Sequence, residues 1–127
     1  MAMNRLAPLP IALALTAALS GCVTFKTTDD GVARARIGER VQAGMIAVTP
    51  VAVLEDSRCA RGLQCVWAGR VRLSVRIDGG APLEVATNQP LALAGGRTLS
   101  LVEVYPEKRA DEPIYPDQYR FGFRVQQ

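Results

Sequence analysis

The sequence predicts an all-β protein, a small antiparallel β-sandwich or open barrel of about six to seven strands with one short disulfide loop. Three observations lead to that class. Val71, Leu73, Val75 and Ile77 alternate with Arg72, Ser74 and Arg76, the period of a strand with one buried and one wet face. Tyr119, Phe121, Phe123 and Val125 repeat the pattern against Arg120, Arg124 and Gln126. Gly- and Pro-rich breaks separate the apolar runs, and no stretch beyond residue 21 carries the helical period. A chain of 127 residues has room for one such domain.

Taken in order, residues 1–21 read as a secretion signal in which Arg5 is the single charge, followed by the apolar run 6–19. As a helix that run would span about 21 Å, short of the roughly 30 Å of bilayer hydrocarbon, and Pro8 and Pro10 interrupt it. The signal ends in Leu19-Ser20-Gly21-Cys22, which resembles the bacterial lipobox. The resemblance implies cleavage before Cys22, a diacylglyceryl group on its sulfur and acylation of the freed amine. More than one acyl chain anchors stably where a single chain does not. Residues 22–35, rich in Thr and Asp, read as a flexible tether, with the β-domain expected over 36–127.

Residues 45–54 are almost wholly apolar with Pro50 inside, which predicts two short strands or a bulge at the proline. After the strand at 71–77, Asp78-Gly79-Gly80 supplies a turn and Leu83 and Val85 resume the alternation. Gly95-Gly96 marks another turn. The run 99–104 changes phase between Leu101 and Val102, the sign of a bulge or of burial on both faces. Pro106, Pro113 and Pro116 make the stretch before Tyr119 a loop.

Composition narrows the function. Without residues 1–21 the chain holds 14 basic and 12 acidic residues, a net charge of +2, too balanced to point to nucleic acid. Histidine is absent, which removes the commonest general base and every Ser-His-Asp or Cys-His nucleophile. Two cysteines without histidine do not make a zinc site, and Glu55-Asp56 lacks the Asp-x-Asp spacing of calcium loops. No cofactor or metal is called for.

The informative stretch is 55–70. With Cys22 assigned to lipid, Cys59 and Cys65 remain as an even pair in an oxidising compartment and are expected to bond. Closing that ring removes about 2 kcal/mol of unfolded-state entropy. The C-x-x-C spacing of redox proteins is absent. Asp56 and Ser57 are expected to accept backbone hydrogen bonds and shape the mouth of the loop. Trp67 is expected to cover the disulfide or the adjacent core, the alternative being an exposed platform for a sugar ring. Arg58, Arg61, Trp67 and Arg70 are the candidate ligand or partner surface. Arg70, Arg72, Arg76, Arg120 and Arg124 could share a face toward anionic headgroups or acidic glycans if their two strands are neighbours; otherwise they keep sheet edges apart.

Asp56-Ser57-Arg58-Cys59 followed by Gln64-Cys65-Val66-Trp67-Ala68-Gly69 is similar to a signature of small bacterial secreted proteins and lipoproteins of unassigned function. The segments 101–106 and 119–125 are similar to the closing strands of that group. The resemblance covers about residues 40–126 and implies the fold and the disulfide but no activity; Ala60 stands where the group commonly has proline. The expected function is a lipid-anchored, non-enzymatic envelope domain with a protein or glycan partner. Val23 after the acylated cysteine points to the outer membrane, facing the periplasm. One alternative is a carboxylate hydrolase using Glu55, Asp56 or Asp111. The other is a protease-inhibitor loop presenting Arg58 and Arg61.

Overall fold

A computed structural model describes residues 29–127; the signal segment, Cys22 and Val23 lie outside the described residues. Eight strands follow in order: β1 (Ala33–Ala35), β2 (Val41–Ala43), β3 (Ile46–Asp56), β4 (Val71–Ile77), β5 (Pro82–Ala86), β6 (Leu91–Ala92), β7 (Thr98–Tyr105) and β8 (Arg120–Gln126). They form two four-stranded antiparallel sheets, β1-β8-β7-β6 and β2-β3-β4-β5, packed as a β-sandwich. Single 3₁₀ turns lie at Ala94–Gly96 and Pro116–Gln118. No helix among the described residues is long and apolar enough to cross a membrane.

The alternating runs do what their period requires. Val71, Leu73 and Val75 of β4 are sealed from solvent, and Leu99 of β7 and Phe121 and Phe123 of β8, also sealed, join the same core from the facing sheet. Tyr119 stacks on Phe121 with ring centroids 5.6 Å apart. No polar or charged residue among those described is fully buried. Pro50 sits inside β3 as one continuous strand, opposite Val75, and the register slips between Pro50 and Ala52 and again between Val53 and Glu55. The bulge accommodates a residue that has no N–H for the ladder. The phase change in β7 is likewise a register slip, between Leu101 and Glu103.

Three features differ from the sequence reading. There are eight strands, not six or seven, because β1, β2 and β6 have two or three residues each and leave too little alternation to read. The tether expected over 22–35 gives way within its last residues to ordered chain. Asp30 Oδ1 accepts the Val32 N–H at 3.0 Å, Val32 and Ala33 are buried, and β1 pairs with β8 from Ala33↔Phe123 to Ala35↔Phe121. Arg34, between two inward alanines, donates from Nε and Nη2 to both carboxylate oxygens of Glu103 on β7 at 2.8 Å, and to Asp30 at 2.7 Å. Finally, the arginines of β4 and β8 share no face, since β4 lies in one sheet and β8 in the other.

The register also fixes two opposite ends. At the base lie the Gly44–Met45 turn, packed near Val125, the Asp78–Gly80 turn and the first described residues, with the Asp30 carbonyl within 3.5 Å of Arg124. At the top lie the connections 57–70 and 106–119. β3 runs from one end to the other, about 33 Å at roughly 3.3 Å per residue.

Candidate functional site

The top is built from the mouth of the 57–70 connection outward. Backbone alternation sends Asp56 and Ser57 to opposite sides, and each closes a different joint. Ser57 closes the neck of the loop: its N–H donates to the Arg70 carbonyl at 2.9 Å, while its Oγ accepts the Arg70 N–H at 3.0 Å. Gly69 lies against this neck so closely that a Cβ there would sit on the Ser57 carbonyl and 2.6 Å from Arg58 Cα. Glu55 pairs with the Arg70 guanidinium at 2.8 Å.

Asp56 closes the second joint. Its Oδ1 accepts from Arg58 Nε and its Oδ2 from Arg58 Nη2, both at 2.8 Å, and Oδ2 also accepts the Tyr119 hydroxyl at 2.9 Å. Arg58 Nη1 donates to the carbonyls of Val104 at 3.2 Å and Pro106 at 3.0 Å, and Lys108 Nζ donates to the Asp56 carbonyl. One carboxylate and one guanidinium thus tie β3, the end of β7, the following loop and the start of β8 together. Burial pushes the Asp56 pKa up, but the bonds from Arg58 and Tyr119 outweigh it and leave the carboxyl below its usual range. Burial and the bond to Asp56 raise the Tyr119 phenol to about 12.

Beyond this neck the chain forms a crest. Cys59 and Cys65 are bonded, with Cα atoms 5.9 Å apart, inside the expected range. Both belong to the crest, so the bond shapes it from within, and the strand ends are joined by Ser57 and Arg70 instead. Ala60 tucks inward, Arg61 donates its N–H to the Lys108 carbonyl at 2.8 Å, and Gly62 takes φ +85° in the turn that brings the Leu63 N–H to the Ala60 carbonyl. What remains faces water: Leu63 is 57% exposed, Trp67 66% and Val66 92%.

This corrects the expectation that Trp67 packs on the core. The neck at Ser57 and Gly69 pinches the chain off from the sandwich and carries residues 63–68 clear of both sheets. Arg58, expected on the exposed partner surface, is turned inward with a fifth of its side chain exposed. Arg61 is exposed and pairs with Glu107 at 3.3 Å, but its backbone is already bridged to Arg109, which leaves it less free to lie along a protease as an inhibitor strand. The carboxylates of Glu55 and Asp56 turn to separate arginines, and Asp111 is an exposed residue at φ +62° in the far loop, so the three do not converge. Among the described residues no group of three His, Cys, Asp or Glu side chains could hold a metal ion.

Beside the crest a groove of about 1040 Å³ runs between β1, the start of β8 and the 106–118 loop. Its walls are Tyr105, Pro106, Pro113 and Ile114, with the ion pair Arg34–Glu103 across its lower part. Sequence reading missed it, because its arginines come from three separate segments and no spacing links them. No family model, curated protein or solved structure matches the chain.

Proposed function

We propose that this chain is a non-catalytic envelope lipoprotein, anchored through Cys22 in the outer membrane and facing the periplasm, that binds an envelope partner through the crest of its disulfide loop. The observation that carries this reading is the exposure of Leu63, Val66 and Trp67 on a loop held by a disulfide, by the Ser57–Arg70 neck and by the Arg61–Lys108 bond. Large apolar side chains on a pre-ordered loop lose little entropy on docking, and tryptophan is the residue most enriched at binding hot spots. The resemblance of 56–59 and 64–69 to small secreted bacterial proteins supports the same compartment.

Two outcomes test it. Combining Val66→Asp with Trp67→Ala should abolish cross-linking of the intact lipoprotein to its partner while the thermal midpoint moves by no more than a few degrees, since neither side chain packs on the core. Met45→Asp, an equally exposed site at the base, should leave the cross-link in place. An unchanged cross-linking pattern in the crest variant would remove the crest from binding. For the anchor, Cys22→Ser should release the protein from the membrane fraction; continued partition of that variant into detergent phase would refute lipidation at Cys22.

A further inference from the structure

Eight of the twelve arginines in the described residues donate from their side chains to carboxylates or carbonyl oxygens of the fold. The guanidiniums of Arg36, Arg40, Arg109 and Arg120 have no such acceptor among the described residues. Three of those four, Arg36, Arg109 and Arg120, line the groove beside the crest. They come from the segment after β1, from the far loop and from the first residue of β8, so the fold, not a local charge run, assembles them.

The acidic residues of the groove offset this set only in part. Glu103 is paired with Arg34 and Glu107 with Arg61, while Glu39, whose Oε2 accepts the backbone N–H of Arg36 at 3.1 Å, keeps its charge, as does Glu112, so three guanidiniums face two carboxylates. Glu112 accepts no hydrogen bond among the described residues. Three guanidiniums, each with five N–H donors and no acceptor, outnumber the two carboxylates, so the unused hydrogen-bonding capacity of the groove is mainly donor, set between apolar walls. A neutral sugar, which brings as many donors as acceptors, fits such a surface poorly. A carboxylate fits it well, because the planar fork of arginine meets both carboxylate oxygens. The apolar walls favour a ligand that also carries aliphatic groups, and the volume slightly exceeds the roughly 300–1000 Å³ of small-molecule pockets.

We propose that the groove binds an extended acidic peptide, its carboxylates on Arg36, Arg109 and Arg120 and its aliphatic side chains against Tyr105, Pro113 and Ile114. This site is separate from the crest, and either can fail alone.

The test uses the full chain in detergent and a fluorescein-labelled peptide of alternating glutamate and leucine, followed by anisotropy. Binding should weaken as salt rises. Arg36→Ala, Arg109→Ala and Arg120→Ala should each lower affinity about tenfold, the size of one lost charge-assisted bond. Arg40→Ala should not change it, and neither should Trp67→Ala. All the altered side chains are exposed and without partners in the fold, so the variants should fold as the parent does. Equal binding of the three groove variants, equal binding of a glutamine-for-glutamate peptide, or an equal loss in Arg40→Ala would overturn the proposal. Tighter binding of a uronate oligosaccharide than of the peptide would overturn it in favour of an acidic glycan.

Discussion

Gly69→Ala is expected to lower the stability of this domain by about 3 kcal/mol or more, roughly 12–24 °C in the thermal midpoint for a domain of this size. The added methyl group would meet the carbonyl of Ser57 and the Cα of Arg58, which are backbone atoms and cannot rotate away. Relief requires opening the neck, and opening it breaks the paired Ser57–Arg70 bonds that end the β3–β4 ladder. Gly122→Ala is the internal comparison. There the new atom would come within 2.8 Å of Glu103 Cβ and of Cγ1 of the buried Val32, a milder overlap than the one at the Ser57 carbonyl, so a smaller loss of about 1–3 kcal/mol is expected. Thermal melts followed by circular dichroism rank the two. A Gly69→Ala protein melting within a few degrees of the parent would show that the neck is not closed as described.

Asp56→Ala should cost about 3 kcal/mol, because it strands a mostly buried guanidinium and removes the acceptor of the Tyr119 hydroxyl. The same joint contributes to the pH dependence of stability at both ends, with opposite signs. The Asp56 carboxyl has a folded pKa below its unfolded value, so its contribution is complete above about pH 3.8 and is lost as pH falls through the lower folded value. The Tyr119 phenol has a folded pKa raised from 10 to about 12, so its contribution is complete below pH 10 and is lost as pH rises toward 12. Tyr119→Phe should therefore remove the alkaline limb of the stability profile and keep the acid limb. Denaturant midpoints measured across pH would show it; an unchanged alkaline limb in Tyr119→Phe would mean that the Tyr119–Asp56 bond does not govern it.

What the sequence made legible was whatever a strict period or a rare residue type could encode. β4 and β8 alternate without a fault, the proline in β3 and the phase change in β7 mark their bulges, and two cysteines in a chain expected to be exported point to each other. β1 escaped notice because Ala33 and Ala35, though both buried, are too small to signal a buried face. The Asp56–Arg58–Tyr119 joint was half legible: Asp56 was placed at the loop mouth, but its partner Tyr119 stands 63 residues away and reads only as an inward aromatic. Trp67 misled because tryptophan is usually core, and only the three-dimensional pinch at Gly69 shows that this one cannot reach it.

The opposed placement of the first described residues and the crest has a mechanical meaning. A load applied between the first described residues at the base and the crest runs parallel to the strands. β1 meets that load first, in shear, because the chain leaves the base through it while the crest belongs to the other sheet. Three residue pairs with β8 and the bidentate ion pair from Arg34 to Glu103 resist sliding there. If β1 slides free, the chain gains slack through the 36–40 connection while β3, β4 and the crest stay folded, and tension on the crest relaxes.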